Sequence, residues 1–182
     1  MNKASTLPGW ALKEQIYTKD MVKGWGRSKQ INAFAKGGDR LEKTLRKYPA
    51  KMWGFTNAPK NWCIKEVLWH LADQEANLYV RLRRAAAEPR QPVAAYDQEK
   101  FSAKLPYKKA NPQQAKALIL LLRKANADLV KQLPSKVWNN KVKHPEWGTL
   151  TFGFMIILNV WHLDGHLAQM GRRYAEWKAR KK

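Results

Sequence analysis

Four stretches of this chain repeat apolar residues at steps of three and four, and proline-bearing gaps separate them. Such a pattern confines the fold to helices packed on one another. The first runs from about Arg27 to Tyr48 through Ile31, Phe34, Leu41 and Leu45; Gly37 and Gly38 weaken its middle and Pro49 ends it. The second runs from about Trp62 to Ala87 through Ile64, Val67, Leu68, Leu71, Leu78 and Leu82, with Asn61 as its expected cap and Pro89 and Pro92 beyond it. The third opens on Asn111 and Pro112 and carries Leu118, Leu121, Leu122, Leu129 and Val130 as its expected core face, with Pro134 past its end. The fourth, capped by Thr149 or Thr151, reaches about Lys178. No stretch alternates in the way that would argue for a sheet, so the predicted class is all-α.

At 182 residues the chain suits one domain with one sizeable core. The expected division is an N-terminal extension over 1–26, a bundle over 27–178 and a basic tail over 179–182. Residues 88 to 110 hold three prolines and no clean period. They read as a long connection of the kind that more often serves function than idles. The most apolar run, Leu150 to Val160, is broken by Thr151, Gly153 and Asn159, so no membrane span is expected. The first fifteen residues lack a continuous apolar region before Lys13 and Glu14, and Cys63 is the single cysteine. A reducing cytoplasm is the expected home.

The chemistry concentrates in two helices. In WHLDGHLAQM, His162 and His166 stand four apart and leave one face of the fourth helix about a turn from each other. Asn159, Gln169 and Arg173 extend that polar stripe beside Ile156, Val160, Leu163, Leu167 and Met170. In IKEVLWHLADQE, His70 lies at the edge of the apolar face, with Glu66, Asp73, Gln74 and Asn77 a turn away. Three neutral imidazoles on one divalent ion leave coordination sites open, as catalytic centres require, and bundles build such sites from facing helices. A histidine at a helix edge is also commonly a hydrogen-bonded core residue, so spacing leaves ligation and plain packing both open. Asp164, about 200° round the helix from His162, cannot join that face and is expected to meet a lysine or arginine. Cys63 has no evident cationic neighbour and reads as buried and inert. His144, in HPEWG, reads as a loop residue, with reaching the mouth of the pocket as the lesser alternative.

Together these residues resemble the DinB-like superfamily. Its signature on the second helix is met by Trp62, Glu66, His70, Leu71 and Glu75, and that on the fourth by His162, His166 and Gln169. The likeness covers about residues 30 to 175. It implies an up-down-down-up four-helix bundle, frequently a homodimer, that holds one divalent metal ion, often nickel or zinc with manganese or iron as alternatives, on His70, His162 and His166. Characterised relatives include bacillithiol and mycothiol S-transferases, a mycothiol-dependent maleylpyruvate isomerase, and the metal-binding domain of ergothioneine-type sulfoxide synthases. In the last group an acid follows two residues after the final histidine, where this chain has Ala168, which argues against that iron chemistry. The resemblance points to a thiol-dependent S-transferase or related metal-dependent enzyme, with Glu66 or Asp73 orienting His70 and Gln169 orienting His166 or touching substrate; a surface or packing role for each is equally open.

The charge asks a separate question. Thirty-five basic against fourteen acidic residues leave +21, and the middle segment 61–110, with nine basic and six acidic groups, contributes least. Such a field attracts anions: an anionic thiol cosubstrate, or nucleic acid, for which KARKK and Arg81, Arg83 and Arg84 are suggestive but no recognition motif is present. A basic helical nucleic-acid binder and a metal-binding protein without turnover are the alternatives.

Overall fold

The computed structural model describes residues 17–180. Most of the expected N-terminal extension, 1–16, and the last two lysines of the expected tail lie outside these. The described part of the extension holds a short helix, α1 (Lys19–Val22), capped by the Thr18 side chain and buried at Val22. The Tyr17 amide donates to Asp164 Oδ2 at 2.8 Å, fastening this segment to the last helix.

The first bundle helix comes in two pieces, α2 (Arg27–Ala35) and α3 (Gly37–Leu45), joined at Lys36 with ψ near 3°. A side chain at Gly37 would put its Cβ 2.9 Å from the Leu163 side chain and 3.3 Å from that of Arg123, so any larger residue at this joint would have to displace them. The remaining helices are α4 (Ile64–Ala87), α5 (Gln98–Lys104) within the long connection, α6 (Pro112–Gln132) and α7 (Phe152–Ala179). Asn111 caps α6 and Thr151 caps α7, both as expected. The α4 cap is Cys63 rather than Asn61: Glu66 at the third helical position accepts from the Cys63 amide at 2.9 Å, and Asn61 instead donates to Asn57.

Two apolar clusters set the helix directions. One gathers the end of the first helix (Leu41, Leu45), the start of α4 (Ile64 to Ala72), the start of α6 (Ala115, Ile119) and the latter part of α7 (Leu163 to Trp177). The other gathers the opposite ends: Ile31 and Phe34, Leu78 and Leu82, Ala127 and Val130, Phe152 to Val160. The first and last helices therefore run one way and α4 and α6 the other, the up-down-down-up order. Each parallel pair carries a buried ion pair. Arg40 of α3 meets Asp164 of α7 at 2.9 Å, the basic partner expected for that aspartate, and Arg123 of α6 meets Glu75 of α4.

Two expectations change. First, a small antiparallel hairpin is present, β1 (Lys141–His144) and β2 (Gly148–Thr151), pairing Val142 with Leu150 on the buried side. Four residues per strand are too few for alternation to register in sequence, and Gly148 at φ 68° makes the turn. Second, Leu118 and Leu121 are exposed; the buried face of α6 is Ala115, Ile119, Arg123, Asn126, Ala127 and Val130. The leucines are larger and more apolar, but Arg123 and Asn126 turn inward to serve Glu75 and Arg83. Among the described residues no helix is long and apolar enough to cross a membrane.

Candidate metal centre

Helix α4 brings His70 to the bundle axis opposite His162 and His166 of α7. His162 Nε2 lies 3.2 Å from His70 Nε2 and 3.3 Å from His166 Nε2. Two nitrogens bound to one tetrahedral ion at about 2.0–2.1 Å would stand about 3.3 Å apart, so two of the three pairs already have the spacing for a shared ion, and all three ligand atoms lie within 4.8 Å of one another. His70 is buried at 3% exposure, whereas His162 and His166 are half-buried. Trp62 closes one side, its ring 5.0 Å from that of His70 and stacked on His166 at 6.4 Å.

Burial holds all three rings in their neutral, ligand-competent form. Desolvation pulls His70 down to about 3 and His162 well below the usual value, the neighbouring rings adding to both, and His166 also falls through burial. Gln169 Oε1 lies 2.8 Å from His166 Nδ1 and can only accept, so that nitrogen carries the proton and Nε2 keeps its lone pair for the cluster. Three neutral imidazole nitrogens suit a divalent transition-metal ion.

The open side faces a cavity of about 530 Å³, a size typical of small-molecule sites. Its walls come from α4, the long connection, the hairpin and α7. Tyr96 of the connection donates to Gln74, Gln74 donates to Asn159 at 3.0 Å, and Asn159 donates to the Met155 carbonyl at 2.8 Å, so one hydrogen-bonded chain braces three of these walls.

A family model for the DinB superfamily matches residues 33–170. The chain belongs to that superfamily. A relative from Oceanobacillus iheyensis, provisionally named a metal-dependent hydrolase, is 30% identical over 109 residues, 60% of this chain and 63% of the relative. The match thus spans a little under two thirds of that relative's length. Among solved structures, YfiT from Bacillus subtilis, noted for an unusual four-helix bundle topology, superposes with a TM-score of 0.76 at 21% identity, over 90% of this chain and 91% of YfiT. A mycothiol-dependent maleylpyruvate isomerase gives 0.65 at 13% identity, over 81% of this chain and 61% of that one. At such identities both likenesses are of fold.

Within this DinB-superfamily chain, the structure brings the three expected histidines together and sets Gln169 behind one of them. It does not place Glu66 or Asp73 on His70. Glu66 serves the α4 N-terminus, where a carboxylate is favoured, and lies 3.7 Å from Lys108. Asp73 accepts from the Tyr107 hydroxyl and ties the connection to α4; burial pushes its carboxyl up and the tyrosine bond opposes that. His144 is also corrected: it ends β1, is 8% exposed and lines the cavity. Cys63 is buried as expected, and its burial pushes the thiol up. Sequence reading did not find which residues of the connection and hairpin wall the cavity, because neither segment holds enough regular structure to carry a period. One signal was available: Arg81 lies on the same face of its helix as His70.

Proposed function

We propose that this protein is a metal-dependent enzyme that holds one divalent ion, nickel or zinc, on Nε2 of His70, His162 and His166, and uses it in thiol-dependent S-transfer. The observation that carries this reading is the convergence of three neutral Nε2 atoms on a point that opens into a cavity of about 530 Å³. A structural site would be closed by a fourth protein ligand; among the described residues the metal-ligating cluster has three members. Bound there, the ion supplies a Lewis-acid centre that draws the pKa of a thiol or water ligand toward neutrality.

The chain's own residues do the rest. Gln169 holds the Nδ1 proton of His166 and so keeps Nε2 aimed inward. Trp62 packs its ring against those of His70 and His166 and so restricts how they turn. Gln74 and Asn159 offer amide groups beside the open coordination side, where they can orient a substrate. The mycothiol dependence of one fold neighbour supports the thiol; the provisional hydrolase name of the Oceanobacillus relative supports a second reading, in which water takes the thiol's place.

The test is metal content by mass spectrometry on untagged protein, wild type against His162→Ala and His70→Ala, followed by a screen of low-molecular-weight thiols with an electrophilic acceptor. One equivalent in wild type and its loss in both variants is the expected result. Absence of metal after reconstitution with nickel, zinc, manganese and iron would overturn the enzyme reading and bring nucleic-acid binding forward.

A further inference from the structure

Arg81 stands eleven positions beyond His70 on α4 (81 − 70), three turns and about 20° further round the helix. Both side chains therefore leave one face, about 16 Å apart along the axis. Arg81 lines the same cavity as His162 and His166. Its Nε and Nη2 donate to the Ala94 carbonyl at 3.1 and 2.5 Å, which fixes the guanidinium plane and leaves Nη1 without a protein acceptor among the described residues.

The three fully buried arginines meet carboxylates, Arg40 with Asp164, Arg123 with Glu75 and Arg173 with Glu176, whereas Arg81, half-buried like Arg27 and Arg83, lines the cavity. Arg81 has no carboxylate at ion-pair distance among the described residues, and Glu146 attracts it only from further off. A guanidinium partly withdrawn from water without a counter-charge is costly, and burial accordingly pulls its pKa down. An anion entering the cavity would relieve that cost with charge-assisted hydrogen bonds.

His144 supplies a second donor. The Glu146 amide donates to its Nδ1 at 3.3 Å, so the neutral ring carries its proton on Nε2, and the ring is 8% exposed in the cavity wall. Leu78, Leu150, Met155 and Leu158 give the cavity an apolar stretch of wall beside the polar groups of Gln74, Tyr96 and Asn159.

We propose that the molecule bound here is elongated, with a metal-seeking atom at the histidine triad, an apolar middle across Leu78, Leu150 and Met155, and a terminal oxyanion, carboxylate or phosphate, held by Arg81 with His144. This rests on the reading of the triad as the reacting end. Substrate selection by the far end is thus a property of Arg81, separate from metal binding.

Calorimetric titration of metal-loaded protein with 6-mercaptohexanoate, 6-mercaptohexylphosphonate and 6-mercaptohexan-1-ol tests it; the two anions distinguish a carboxylate from a phosphate end. Wild type is expected to bind at least one anion about tenfold or more tighter than the alcohol. Arg81→Gln is expected to abolish that preference while leaving alcohol binding and metal content unchanged. Arg84→Gln, which removes a neighbouring tether to the Pro92 carbonyl, should keep the preference. Equal affinities for all three probes in wild type overturn the proposal, as does an equal loss for every probe in both arginine variants, which would mean that only the connection had loosened. Should Arg81→Gln not fold, Arg81→Lys keeps the charge and loses the fork: selective weakening of the anions supports the oxyanion seat, and any other pattern overturns it. Hexanoate, which lacks the thiol, titrated into metal-free protein separates the two readings, since its carboxylate then has no ion to bind. If the protein takes up no metal but hexanoate binding still falls in Arg81→Gln, the metal reading fails and the oxyanion seat stands.

Discussion

Gln169 shows how far a single side chain can set the state of a proposed metal ligand. Its carbonyl oxygen holds the proton of His166 on Nδ1, and that choice of tautomer frees the nitrogen facing His162. Gln169→Leu is expected to lower metal affinity about 10–100-fold, the usual cost of losing such a partner, while the far-ultraviolet spectrum stays unchanged. Competition against a chelator of known affinity measures it; unaltered affinity would mean that Gln169 packs without orienting. This residue was legible in the sequence because it lies three positions from His166 on one helix, where geometry is nearly determined by spacing. The roles of Glu66 and Asp73 were not. Each is one turn from His70, but a carboxylate takes whichever partner the rest of the fold offers, a helix N-terminus for one and the Tyr107 hydroxyl for the other.

Among the elements, α6 separates pattern from packing most clearly. Its leucines at 118 and 121 suggested a core face, yet they are 39% and 67% exposed, while Ile119 is 1% exposed. Ile119→Ala is therefore expected to destabilise by about 2–5 kcal/mol and Leu121→Ala by less than about 0.5 kcal/mol, read from urea denaturation midpoints. The face that does turn inward holds Arg123, which meets Glu75 of α4 and lies over the Phe34 ring at 4.3 Å. Glu75→Leu alone should cost about 3–5 kcal/mol by stranding a buried guanidinium, and adding Arg123→Met should recover most of it. A double variant no more stable than the single one would show that the pair contributes more than mutual neutralisation. No period reveals this pair, since forty-eight residues (123 − 75) and a long connection separate its members. The hairpin escaped notice for a different reason: its strands are too short for a period, and their pairing is visible only once β1 meets both β2 and the connection at Pro92.

For the molecule as a whole, metal and fold should be coupled. The proposed ion would bind residues of two antiparallel helices that come together only in the native state, so it stabilises by mass action. At one hundred times its dissociation constant, free metal is expected to add about 2.7 kcal/mol, seen as a higher Tm that a chelator reverses and that His162→Ala lacks. The net charge of +21 acts at the same scale. If it steers an anionic cosubstrate, kcat/KM for that substrate should fall severalfold as the Debye length shrinks from about 30 Å at 0.01 M salt to about 8 Å at 0.15 M, and a flat profile would count against steering. By itself the sequence determined the all-α class, three of the four helix spans to within about two residues and the shared face of His162 and His166, because helix periods, caps and i,i+4 spacing are local properties of the chain; His70 joined them through the family resemblance. It determined neither which face of α6 is buried nor which residues wall the cavity. Those depend on what the long connection and the hairpin bring against α4 and α7, and only the tertiary structure joins Arg81, Tyr96, His144 and His162 around one space.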